Sequence, residues 1–169
     1  EALLAVQPSD KLLEEADVIF FAPRIRRQGE EVKGEISTRI KDVVKHLSSG
    51  TFFIYNLPSA IGGNSENIAL IEMISGLSPD GGFNYIYAPL GPTGTRITII
   101  GHSISKIDKK LIDIFKSYSD VDPIITSLEV SELAHTKEIL NSFYWMAVGL
   151  ETCRKIATLS PLMANRILG

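Results

Sequence analysis

Short, unbroken apolar runs alternate along this chain with longer stretches in which apolar residues recur every third or fourth position. The first pattern predicts buried strands, the second helices with one apolar face. Asp17-Val18-Ile19-Phe20-Phe21-Ala22 follows a polar helical stretch and stops at Pro23, which predicts a buried strand. From Glu31 to Leu47, the residues Val32, Ile36, Ile40, Val43, Val44 and Leu47 fall near helical spacing. Ser48-Ser49-Gly50 closes that helix ahead of the strand Thr51-Phe52-Phe53-Ile54-Tyr55. Asn64-Ser65 is placed to cap a helix running to about Leu77, and Phe83-Asn84-Tyr85-Ile86-Tyr87 reads as the next strand. After the turn-rich Pro89-Leu90-Gly91-Pro92-Thr93-Gly94 come a strand from Arg96 to Gly101, a helix from Ile107 to Tyr118 and a last strand, Pro123-Ile124-Ile125-Thr126.

Strands separated by helices predict a three-layer α/β domain over residues 1–127, with a mostly parallel sheet of about five strands. The remainder, 128–169, is of a different kind. Leu128 to about Leu159 contains no proline and repeats Leu133, Leu140, Ala147 and Thr136, Phe143, Leu150, Ala157 at heptad-like spacing, which predicts one long helix. Ser160-Pro161 interrupts it before a short helical tail.

Composition narrows the function classes. A net charge of −3 gives no basic field for a polyanion, so nucleic acid is not an expected partner. The longest apolar stretches, Val18 to Ala22 and Tyr144 to Leu150, fall far short of the roughly 20 residues of a membrane helix. A lone Cys153 excludes an internal disulfide and suits a reducing compartment, and the expected location is the cytoplasm. The chain starts at Glu1 without signal-peptide features, and the expectation is that residues upstream have been removed. His46, His102 and His135 are scattered and show no metal-ligand spacing. Arg24, Arg26 and Arg27 follow the first strand, where an anion site is conceivable, although Glu30 and Glu31 stand nearby to balance them.

Taken in order, Ala16-Asp17-Val18-Ile19-Phe20-Phe21, Lys45-His46-Leu47-Ser48-Ser49-Gly50-Thr51, Phe83 to Pro89 and Ile99-Ile100-Gly101 resemble the UDP-glucose and UDP-N-acetylmannosamine 6-dehydrogenases. The resemblance runs from about Ala5 to Ala157 and matches the second half of that family's cofactor domain plus its central helix. It implies a Rossmann-like sheet, NAD as cofactor, a UDP-sugar ligand and a homodimer built on the long helix. The reaction implied is oxidation of a UDP-sugar's C6 alcohol to a carboxylate. By the same resemblance, Ala22, Pro23, Leu57 and Pro58 border the cofactor, and Leu90 and Gly91 border the substrate. Lys137 and Asn141 match the family's catalytic K-x-x-x-N helix pair, and Glu132 and His135 are the alternative pair if the register slides. A lysine there stabilises a developing oxyanion, and the amide holds a water.

The departures from the family pattern bear on function. No G-x-G-x-x-G is present, Pro58 stands where the family has a threonine, and Leu90 replaces a glutamate. The family's nucleophilic cysteine lies in a glycine-rich loop beyond this helix, and Cys153, with no adjacent base, reads as an inert thiol. Two alternatives follow. One is a non-catalytic dimerisation or regulatory module derived from a dehydrogenase. The other is a β-hydroxyacid dehydrogenase-like oxidoreductase, which Ala88-Pro89, Gly94-Thr95 and Ile97-Thr98-Ile99-Ile100-Gly101 resemble.

Overall fold

The computed structural model describes residues 9–79, 81–89, 99–103, 109–117 and 122–159. Five strands, β1 (Val18–Phe21), β2 (Phe52–Tyr55), β3 (Asn84–Tyr87), β4 (Ile99–His102) and β5 (Ile124–Ser127), form one sheet in the order β1-β2-β3-β4-β5. β1, β2 and β3 are parallel, β4 runs antiparallel to β3, and β5 is parallel to β4. The helices are α1 (Asp10–Glu14), α2 (Glu31–Val44), α3 (Gly63–Ser75), α4 (Lys109–Ser117) and α5 (Leu128–Leu159). This is the predicted Rossmann-like α/β fold with a mostly parallel sheet and a long C-terminal helix.

Strand pleating sorts the core into two sides. Ile19, Phe21, Phe53, Tyr55, Tyr85 and Tyr87 face Ile40 and Val44 of α2, Ile71 of α3 and Leu128 of α5. Ile54, Ile86 and Ile100 face Leu111 and Phe115 of α4 on the other side. Helices therefore cover both faces, and this is why the strand sequences are nearly continuous apolar runs instead of alternating ones. On the α2/α3 side the rings form a band across the strands, with centroids 5.4 Å apart for Phe21–Phe53, 6.0 Å for Phe53–Tyr85 and 6.3 Å for Tyr55–Tyr87.

One expectation needs correction. The helix α3 starts at Gly63 behind an N-cap Gly62, with no local side-chain cap, so Asn64 and Ser65 lie inside its first turn. Strand β4 is described over Ile99–His102; residues 96–98 of the strand expected from Arg96, like Leu90 and Gly91, lie outside the described residues.

Helix α5 follows β5 without a loop, and its first turns lie on β3 and β4. Gly101 makes that approach possible. A Cβ there would sit 2.0 Å from Ser131 Oγ and 3.0 Å from the Leu128 Cα, so only a hydrogen fits.

Candidate functional site

In a sheet of this kind ligands bind beyond the carboxyl ends of the strands. At that edge the chain brings together the loop after β1, the loop 56–62 that feeds α3, Ala88-Pro89 after β3, and the first turns of α5. Asn56 ties the two central loops together: its backbone N–H donates to Phe21 O at 3.1 Å and its side-chain amide donates to Ala88 O.

Glu132, which is 3% exposed, is a buried carboxylate at this edge. Its Oε2 accepts from the Gly62 N–H at 2.7 Å, and its Oε1 accepts from the Asn64 N–H at 2.9 Å and from Asn64 Nδ2 at 2.7 Å. A carboxylate at a helix start meets the unsatisfied amides and the positive end of the helix dipole. Glu132 is thus the cap that α3 lacks locally, delivered from a distant helix. Gly62 adopts φ 83°, a left-handed backbone that glycine accepts without strain.

From Asn64 the network continues inward. Tyr85 donates to Asn64 Oδ1 at 2.7 Å, and Asn67 Nδ2 donates to the Tyr85 hydroxyl at 3.2 Å. The Tyr87 hydroxyl accepts from the Ser59 N–H at 3.2 Å. Burial pushes the phenols of Tyr55, Tyr85 and Tyr87 above their ordinary range, so all three stay neutral near pH 7. His135, one turn beyond Glu132, is buried and packs edge-on to the Tyr87 ring, with centroids 6.2 Å apart. Its Nδ1 lies 3.9 Å from Glu138 Oε2, and its Nε2 has no hydrogen-bond partner among the described residues. Burial lowers the imidazole pKa, and the Glu138 charge offsets this only in part.

Among the described residues of α5, Leu128, Ser131, Glu132 and His135 are buried, and they share one face by the i, i+3, i+4, i+7 rule. Lys137 lies two residues past His135, roughly 200° around the helix, and both Lys137 and Asn141 are exposed. The structure therefore brings Glu132 and His135, the pair of the slid register, to the sheet and leaves Lys137 and Asn141 on the outer side. Ala22 is exposed and Pro23 half-buried at the end of β1; Leu57 packs against the core and Pro58 is exposed. The tyrosines, and the pairing of Asn64 with Glu132, escaped the sequence reading. The signal that pointed to them was the spacing of Glu132 and His135 on one helical face.

At the β1 edge a second carboxylate plays a similar part. Glu35 Oε2 accepts from the backbone N–H groups of Arg27 at 2.8 Å and Arg26 at 3.0 Å, and these bonds hold its carboxyl below the usual range. Arg27 pairs with Glu31 at 3.2 Å. Between α2 and α3 lies an open cleft of about 670 Å³, lined by Val32, Ile36, Tyr55, Pro58, Ile61 and Leu70. Lys33 and Glu66 join the two helices at 2.6 Å. Among the described residues no cluster of three potential metal ligands occurs, and no helix is long and apolar enough to cross a membrane.

The cofactor implied by the resemblance can be tested against these helix starts. A dinucleotide's pyrophosphate needs free amides at a helix N-terminus. At α3 the Gly62 and Asn64 amides are taken by Glu132 and the Gly63 amide by Ala60 O at 2.9 Å. At α2 the start carries Glu30 and Glu31, which repel phosphate. The described residues do not fit the pyrophosphate.

No protein-family model and no curated protein matches this sequence. Solved structures do match in fold. A UDP-D-ManNAc dehydrogenase from Pyrococcus horikoshii superposes with a TM-score of 0.69 at 17% identity, covering 90% of this chain and 38% of that one. An NDP-N-acetyl-D-galactosaminuronic acid dehydrogenase from Methanosarcina mazei gives 0.66 at 19% identity, covering 78% and 30%. A GDP-mannose dehydrogenase from Pseudomonas aeruginosa gives 0.65 at 17% identity, covering 94% and 39%. The chain spans between 30% and 39% of the length of these three structures. At such identities the likeness establishes the fold.

Proposed function

We propose that this chain serves a sugar-nucleotide dehydrogenase-like oxidoreductase as the second half of its nucleotide-binding sheet plus its central helix. The supporting observation is the fold likeness to three dehydrogenases acting on different nucleotide sugars, along the same stretch in which the sequence motifs resemble that family. The reaction class is oxidation of a sugar alcohol on a nucleoside-diphosphate sugar, with NAD the cofactor implied by the resemblance. On this reading the nest for that cofactor and the nucleophilic thiol come from residues other than these 169.

On this reading Ala22, Pro23, Leu57 and Pro58 contribute an apolar wall at the ends of β1 and β2, and Leu90 and Gly91 are the substrate-binding positions that the resemblance implies. The exposed Lys137 and Asn141 are the pair free to meet a substrate brought over α5. The ammonium would stabilise negative charge on a reacting oxygen, and the amide would orient a water. A second copy of the chain is the partner along the outer seam of α5.

The non-catalytic reading draws on two observations: Glu132 fills the start of α3, and Pro58 removes a hydroxyl from that loop. The two readings part in one assay. The protein isolated from its native source is offered NAD with UDP-N-acetylmannosamine, UDP-glucose or GDP-mannose, and NADH formation is followed. Turnover with one of these, reduced at least tenfold by Lys137→Ala, supports the dehydrogenase. No turnover, together with no calorimetric binding of any of them, favours the module.

A further inference from the structure

Residues 57–62 are not held mainly by their own neighbours. Their exit into α3 is fixed by a carboxylate that lies 68 to 70 positions away in sequence. Both oxygens of Glu132 are engaged, and its side chain is screened from solvent. Gly62 turns its amide toward that carboxylate through a left-handed backbone, and Gly101 lets α5 come close enough for the carboxylate to reach. Behind the contact, Asn64, Tyr85 and Asn67 continue the network into the sheet, so movement at one end disturbs buried hydrogen bonds at the other.

We propose that Glu132 is a positioning residue, an internal anionic ligand that locks the 57–62 loop and the start of α3 to α5. The loop and the long helix then move as one unit, and this helix start is closed to the phosphate of any outside ligand. The inference stands on the geometry alone and holds under either reading of function.

The test uses the whole protein labelled for amide NMR. In the wild type, inorganic pyrophosphate leaves the Gly62 and Asn64 resonances in place. In Glu132→Ala, hydrogen-exchange protection at Gly62 and Asn64 falls at least tenfold and is restored by acetate but not by chloride at the same ionic strength. A residue that merely fills space shows no such rescue. Pyrophosphate-induced shifts in the wild type, unchanged protection in the variant, or equal rescue by chloride would overturn the proposal. Should Glu132→Ala not fold, Glu132→Asp must keep more protection at the two amides than Glu132→Gln; the reverse order overturns it.

Discussion

Gly101 and His135 carry most of what individual residues decide here. Because a Cβ at position 101 meets Ser131 Oγ at 2.0 Å and the Leu128 backbone at 3.0 Å, Gly101→Ala must push α5 off β4. The expected cost is about 1–3 kcal/mol of overpacking, read as a lower unfolding midpoint in denaturant with an unchanged slope. His135 gives a pH signature. Its folded-state pKa lies below the ordinary 6.5, so between the two values the unfolded chain binds more protons than the folded one. Stability there rises with pH: it is complete above the ordinary value and lost as pH falls below it. His135→Gln should lose less stability on acidification than the wild type, measured by denaturant unfolding on both sides of pH 6.5. Equal losses would contradict a buried neutral imidazole. The sequence could not rank Glu132 and His135 against Lys137 and Asn141, since both pairs suit a helix face and only docking decides which face turns inward.

At the scale of elements, α5 has two roles. Its first turns are packed on the sheet, whereas Leu140 is 62% and Trp145 69% exposed, and Phe143 and Leu150 are exposed with them. Along about 48 Å of helix, Leu133, Leu140, Phe143 and Leu150 of the heptad-like pattern are all exposed. A second copy seated along it would bury these side chains. The native protein is expected to sediment as a dimer, and Leu140→Asp to halve that mass with little change in circular dichroism, since the residue is exposed within the chain. A monomer at micromolar concentration would contradict this. The long helix was legible in the sequence, as were the strands, because apolar runs and heptads are local patterns. The cap of α3 was not: Asn64 had the right chemistry for a cap, but the actual donor–acceptor pairing spans two elements far apart in the chain.

For the whole molecule, the alternation of strand and helix was enough to predict a covered, mostly parallel sheet, and the fold likeness agrees with it. The antiparallel β4 was not anticipated, because strand direction depends on the connection and not on the strand's own residues. The site was less legible than the fold for a similar reason. It is assembled where four segments meet, and the sequence offered only resemblance to say which residues meet there.

On the proposed reading, the carboxyl edge of this sheet and the adjoining turns of α5 form one wall of a nucleotide-sugar site. The most direct measurement is hydrogen–deuterium exchange of the natively isolated protein, with and without saturating UDP-N-acetylmannosamine, UDP-glucose or GDP-mannose. Slowed exchange in 56–62 and across the Lys137–Asn141 turn is expected with at least one of these sugars. Exchange left unchanged at both segments by all three would contradict it.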